Sequence, residues 1–166
     1  MNIVELAGIS VALVAGECAG ADFERLLDTD LRIAGDGATF SVADVADPIA
    51  CAVRLTRALG EAAAKELMLA GRPADAPNAL RLGLVTRVVQ GTALGEAARE
   101  LGERLRALPP LALTAVRDAV RAARELTPRE ALKVEHEHFR RLIATQDHKT
   151  AVAAFFARRP PAFSGQ

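Results

Sequence analysis

The sequence predicts an α/β chain in which helices hold the majority and strands are confined largely to the stretch ahead of Asp47-Pro48. Three observations carry that reading. Val11 to Val14 is an apolar run of β-branched and small residues, suited to a strand covered on both faces. After it, Gly16 and Gly20 supply backbone freedom for a turn, Gly20-Ala21 opens a helix, and Asp30-Leu-Arg-Ile-Ala34 with Ala38-Thr-Phe40 resumes strand character. Beyond Pro48 the pattern is almost entirely helical, in keeping with an Ala- and Arg-rich chain that has six Phe and no Trp or Tyr.

The helical part can be read element by element. Pro48 suits the first position of a helix over 49–59 that Gly60 ends, and 61–69 forms the next, closed at Gly71. Asp75 is placed to cap a helix over 76–82, with Gly83 as its left-handed exit into a strand over 84–89. A helix after Gly91-Thr92 runs to about Ala107 and stops at Leu108-Pro-Pro110, because the residue before a proline avoids the helical basin. The next helix sets Leu113, Val116, Val120 and Ala123 on one face and Arg117, Asp118, Arg121 and Arg124 on the other, which predicts packing through the first. Thr127-Pro-Arg-Glu130 is a capping box for a helix that reaches about Thr145 and carries Leu132, Phe139 and Ile143. Asp147 is the expected cap of the last helix, which Arg159-Pro-Pro161 stops.

A chain of 166 residues is one domain on size grounds and can hold a core. Lys plus Arg equals Asp plus Glu at 21 each, and no basic run interleaves with aromatics, so neither nucleic acid nor an anionic membrane is an expected partner. Cys18 and Cys51 are the two cysteines, no leader pattern precedes them, and no uncharged apolar run nears 18 residues. These features predict a reduced, soluble, cytoplasmic protein.

The register of Gly16, Gly20, Glu24, Asp30 to Ala34 and Phe40 resembles the central motif of the crotonase (enoyl-CoA hydratase/isomerase) superfamily. In that motif a strand ending in Asn-Gly leads to a Gly-Gly-Gly turn, a helix, Asp-Leu-Arg-Ile-Ala and a Phe. Four further stretches resemble later family segments: Arg54-Leu-Thr-Arg-Ala-Leu-Gly60, Leu67-Met-Leu-Ala-Gly71-Arg, Ala79-Leu-Arg-Leu-Gly-Leu-Val85 and Leu108-Pro-Pro110. Ala153-Ala-Phe-Phe-Ala-Arg158-Arg-Pro completes the series. The resemblance runs from about residue 9 to the C-terminus. It implies a crotonase-like ββα spiral core, shortened at its N-terminal side, over 1–90, and a helical oligomerisation region over 91–166 that builds trimers or hexamers.

The resemblance also implies a chemistry: stabilisation of a thioester enolate by two backbone N–H groups while one or two carboxylates move a proton. Ala21 aligns with the central glycine of the turn, whose N–H is the second oxyanion donor, and Gly20 precedes it in the substrate-binding turn. Glu24 aligns with the first catalytic glutamate; apart from the resemblance it reads as an acid complementing a helix N-terminus. Asp44, in Phe40-Ser-Val-Ala-Asp44, stands where the family has its second glutamate, and on its own reads as a loop or capping acid. Phe155 and Arg158 match positions set against coenzyme A, with a core Phe and a solvated Arg as the bland alternative. Coenzyme A enters as part of the substrate, and neither metal nor separate cofactor is expected.

Two departures stand out. Asp22 replaces a glycine of the turn, and its charge opposes a developing enolate unless the side chain turns away to cap the helix. The loop 45–53 is short and lacks the family's glycines. Other candidates recede: His136 and His138, two apart on a helix, point about 200° from each other and cannot share a metal, while Cys18 and Cys51 read as small buried residues. The sequence therefore predicts an acyl-CoA hydratase/isomerase. The alternatives are a catalytically inactive subunit that partners a complete crotonase chain, and a half-enzyme completed by a separate chain.

Overall fold

A computed structural model of the protein describes residues 1–43 and 48–166, with backbone alone at 48–50. The described chain divides into two compact units, Met1–Glu5 with Ser10–Glu100, and Leu6–Ile9 with Leu101–Gln166.

The first unit is α/β. Its elements in chain order are β1 (Asn2–Leu6), β2 (Ile9–Val14), β3 (Glu17–Cys18), α1 (Gly20–Leu27), β4 (Leu31–Gly35), β5 (Thr39–Phe40), α2 (Pro48–Leu59), α3 (Glu61–Leu69), β6 (Ala74–Asp75), α4 (Ala76–Leu82) and β7 (Arg87–Val89). One sheet has the order β1-β2-β4-β7 and the other β3-β5-β6. Strand β2 pairs parallel with β4 from Val11 opposite Leu31 to Val14 opposite Ala34, and β4 pairs parallel with β7 through Ile33 and Arg87. Parallel pairing buries both faces, which is why Val11, Ala12 and Val14 are fully buried in succession rather than in alternation. The smaller sheet sets Cys18 beside Phe40 and Phe40 beside Ala74.

Side chains of α1, α2 and α4 fill the space between these elements: Phe23, Leu26, Leu27, Phe40, Leu55, Ala79 and Leu84 form one buried cluster. Fully burying a Leu or Phe contributes roughly 1.5–3 kcal/mol each. The Asp30-Leu-Arg32 motif closes this core. Asp30 accepts from the Ser10 N–H at 2.9 Å and hydroxyl at 2.7 Å. Arg32 donates to the carbonyls of Leu26, Leu27, Thr29 and Leu84 at 2.8, 3.1, 3.2 and 3.3 Å. Four carbonyls at the C-terminal end of α1 and the entry to β7 thus share one cation, which complements the negative end of that helix.

Local signals set most boundaries. Asp75 accepts from the Asn78 N–H, and Gly83 exits α4 at φ 78°, a left-handed value open to glycine. The strand expected over 84–89 is shorter, because Leu84 and Val85 are buried in the core and only Arg87–Val89 pairs. Strands β1, β3 and β6 carry no sequence pattern strong enough to predict them.

The second unit is helical. After a 3-10 turn at Gly91–Ala93, α5 (Leu94–Arg106) carries the chain into it, followed by α6 (Pro110–Glu125), α7 (Pro128–Ile143) and α8 (Gln146–Phe156). The capping box of α7 is formed in both directions between Thr127 and Glu130. Two expectations are corrected. Helix α6 does not pack through its valines: Val116 and Val120 are 64% and 66% exposed, while Ala115 is buried. Ala112, Ala119 and Ala122, on the same stripe as Ala115, are half-buried, since a row of small side chains lets α6 approach its neighbours closely. Arg117 is half-buried beside them, donating to the Gly8 carbonyl at 2.9 Å. The cap of α8 is Thr145, which accepts from the His148 N–H, and Asp147 lies inside the helix. Its buried carboxylate accepts the N–H groups of Ser164 and Gly165 at 2.8 and 2.9 Å, returning the C-terminal tail to the start of α8.

Candidate active site

Helix α1 brings three predicted residues together: Gly20, Ala21 and Glu24. Its entry is built from Ala19, extended at φ −138°, and Gly20, at φ +54°, where a side chain would be strained. The first N–H groups of the helix then find different partners. Gly20 donates to the Ala43 carbonyl at 3.1 Å, and Asp22 and Phe23 donate to the Ala19 carbonyl at 3.1 and 3.4 Å. Among the described residues, the Ala21 N–H has no partner, and Ala21 is exposed. Among the described residues, the donor without a partner at this turn is therefore the one aligned with the oxyanion position, at the positive end of the helix dipole.

The loop that follows β5 is fastened to the same turn. Ser41 donates its N–H to the Cys18 carbonyl at 3.0 Å, and the Ala43 N–H donates to the Ser41 hydroxyl at 3.0 Å. Asp44, the expected second carboxylate, lies outside the described residues.

Asp22 does not cap α1, which has no side-chain cap. Its carboxylate accepts instead from Arg25, one turn along, and from the Met1 nitrogen at 3.2 Å. The Arg25 hydrogen bond first, and the Met1 ammonium next, hold the Asp22 carboxyl below its ordinary range.

Glu24 is half-buried and faces α2. Arg54 of α2 places Nη2 4.0 Å from Glu24 Oε2, and its Nη1 donates to Asp28 Oδ2 at 3.0 Å and to the Glu24 carbonyl at 3.4 Å. This arginine was legible in the sequence only as part of a family-like segment. The signal for it is the pair Glu24 and Asp28, two acids four apart on one helix face, which calls for a cation from a neighbouring element.

The two thiols nearby are buried. Cys18 and Cys51 have no exposed surface. Burial foremost, with Asp22 adding, pushes the Cys18 thiol up to about 11; burial likewise raises Cys51, against the pull of Arg54.

Phe155 and Arg158 belong to the other compact unit, at the end of α8. Phe155 is 78% exposed with its ring edge-on to Phe156 at 5.7 Å, and Arg158 follows the helix at φ 51°. The α7 histidines face different partners: His136 Nδ1 lies 2.6 Å from the Leu132 carbonyl, and His138 lies 3.9 Å from Asp118. Among the described residues no group of His, Cys, Asp and Glu is arranged to hold a metal, and no helix is long and apolar enough to cross a membrane.

This geometry can be set beside known proteins. The enoyl-CoA hydratase/isomerase family model matches residues 1–166, so the match extends past residue 9 to Met1. The chain is 36% identical over 157 residues to a probable enoyl-CoA hydratase of Rhizobium meliloti, covering 92% of this chain and 61% of that protein. It is 30% identical over 164 residues to a carnitinyl-CoA dehydratase of Proteus mirabilis, covering 94% and 63%. A solved structure of an enoyl-CoA hydratase subunit from Geobacillus kaustophilus superposes with a TM-score of 0.86 at 35% identity, over 94% of this chain and 62% of that one. The chain thus spans about three fifths of the length of these relatives. With a family match along its whole length and that structural likeness, the chain belongs to the enoyl-CoA hydratase/isomerase family.

Proposed function

We propose that this protein acts on an acyl-CoA or other acyl thioester as a hydratase or isomerase. The observation that carries the reading is the Ala21 N–H at the N-terminus of α1, without a hydrogen-bond partner among the described residues, with Glu24 one turn along the same helix. A thioester oxygen on the Ala21 N–H would gain a donor already oriented toward the charge that develops as the enolate forms. Such preorganised donors are worth about 3–4 kcal/mol of barrier each in acyl chemistry. Glu24 is the acid/base that moves the proton at the α or β carbon, and Asp44 assists it, its shorter side chain setting that carboxylate back by one bond.

Two of the relatives are a probable enoyl-CoA hydratase and a carnitinyl-CoA dehydratase. They favour the hydratase form. Coenzyme A would enter with the substrate, with Phe155 and Arg158 as candidate contacts for it. The exposed apolar residues of α6 to α8 support a homotrimer or hexamer, or pairing with a complementary crotonase chain. A cytoplasmic location accords with the balanced charge and the two buried free thiols.

A second reading, a subunit without catalysis, draws on one observation: Asp22 places a carboxylate next to the oxyanion donor. Turnover separates the two. Incubation with a series of 2-enoyl-CoA thioesters, followed by loss of the conjugated enoyl absorbance, is expected to show hydration by the wild type. Glu24→Gln, which keeps shape and removes the proton transfer, is expected to lower kcat by about 10²–10⁴-fold with an unchanged circular dichroism spectrum. Absence of both turnover and calorimetric thioester binding would shift the conclusion to the non-catalytic subunit.

A further inference from the structure

We propose that Arg54 is a positioning residue for Glu24: its guanidinium is fastened to α1 at two points and so stands opposite the Glu24 carboxylate. The inference rests on the acid/base reading of Glu24 and adds to it the group that orients that acid.

The geometry separates holding from quenching. Nη1 carries the two hydrogen bonds, to Asp28 Oδ2 at 3.0 Å and to the Glu24 carbonyl at 3.4 Å. Nη2 then lies 4.0 Å from Glu24 Oε2, beyond hydrogen-bond distance. At that separation the cation attracts the carboxylate and biases its rotamer without a direct hydrogen bond from Nη2. A direct bidentate pair would do the opposite, fixing the oxygens in the salt bridge.

The arrangement is anchored from both sides. On α2, Cys51 and Leu55 flank Arg54 and are fully buried, so the helix cannot slide to relax the contact. At the C-cap of α1, Asp28 lies one turn beyond Glu24 and supplies a second carboxylate that keeps the guanidinium in place if Glu24 becomes neutral during turnover. The two Nη groups of the planar fork bond one partner and face another from separate nitrogens, so lysine, with a single nitrogen, is a poorer replacement here.

The test uses the full chain with Arg54→Met, Arg54→Lys and Asp28→Asn, assayed for kcat and KM on the enoyl thioester that the wild type hydrates. Urea unfolding of Arg54→Met, Glu24→Gln and the double variant accompanies it. Arg54→Met is expected to lower kcat by about 10- to 100-fold with KM changed less than threefold, as misorientation of an acid predicts. Arg54→Lys should recover part of kcat, and Asp28→Asn should lie between lysine and wild type. A purely structural arginine would lower the unfolding midpoint and leave kcat per folded molecule unchanged, which would overturn the proposal.

The unfolding cycle stands apart from turnover. Coupling between positions 24 and 54 is expected to make the double variant's unfolding constant differ from the product of the single effects by roughly threefold or more. A simple product would overturn the contact even in an active enzyme. If the wild type hydrates no thioester while the coupling is present, the hydratase reading fails and the Arg54–Glu24 relationship survives it.

Discussion

Asp22 and Arg25 stand one turn apart at the start of α1, joined carboxylate to guanidinium, and the pair follows the Ala21 N–H along the helix. An anion arriving at that N–H meets the Asp22 charge with its counter-charge already attached. Asp22→Gly removes the like charge and is expected to raise thioester affinity by about threefold at low salt, whereas Arg25→Ala unmasks it and should lower affinity by a similar factor. Both effects should shrink at 0.5 M salt, since the pair is largely solvent-facing. Titration calorimetry of the three proteins at two salt concentrations decides it. Equal affinities throughout would mean that Asp22 does not act on the turn.

The same pair has a pH signature. Because Arg25, and after it the Met1 ammonium, hold the Asp22 carboxyl below its ordinary value of 3.8, the ionised form is favoured by folding. That contribution is present above 3.8 and is lost as pH falls through the lowered folded value. The difference in thermal midpoint between wild type and Asp22→Asn should therefore be seen at neutral pH and close in acid. A gap that widens in acid would contradict the ion pair.

The thiols give a check on the core. Cys18 and Cys51 are fully buried and both are raised, so a disulfide reagent at pH 8 should modify neither in the native protein and both in urea. Rapid native labelling of Cys18 would show that β3 and the turn before α1 open readily.

The parts of this fold that were legible in the sequence are those encoded within a few residues. Asp75 and Gly83 bracket α4, Thr127 and Glu130 start α7, and Gly20 opens α1, because caps and left-handed exits are local chemistry. The face of α6 was not legible. Periodicity assigns burial to the larger apolar side chains, yet the alanine stripe packs and the valines face outward, a choice made by the distance of approach between helices. Asp147 shows the same limit: Thr145 and Asp147 are both competent caps, and only contact with Ser164 and Gly165, 17 and 18 residues away, tells them apart. In the candidate site, Ala21 and Glu24 follow from a spacing along one helix. Arg54 lies 30 residues from Glu24, and its relation to α1 exists only once α2 has packed.

Asp147 also carries a prediction about the tail. Its carboxylate accepts two backbone N–H groups and lies within 3.4 Å of the Ser164 hydroxyl, and it is 3% exposed. Asp147→Ala would leave these donors without their acceptor, at a cost of about 2 kcal/mol. Asp147→Asn keeps one acceptor oxygen and should cost less. Urea unfolding ranks the three proteins, and limited proteolysis should cut the Asp147→Ala tail first. Equal stabilities would show that the tail contributes nothing to the second unit.

The exposed apolar residues of α6 to α8 carry the last prediction. Val116 and Val120 on α6, Leu132, Phe139 and Ile143 on α7, and Val152, Phe155 and Phe156 on α8 are all exposed in the single chain. Surface residues of this kind, spread over three successive helices, favour self-association. The alanine stripe of α6 is already buried or half-buried, so the valine stripe is the face left for a partner. Sedimentation velocity at micromolar concentration is expected to resolve a trimer or hexamer. Val116→Glu with Val120→Glu should shift the population toward monomer, because burying two carboxylates without partners costs several kcal/mol. The variant should keep its far-ultraviolet spectrum, since both positions already face solvent in the single chain. A wild type that sediments as a monomer would remove the argument for association, and an oligomer unaffected by the two glutamates would place the interface on α7 and α8 instead.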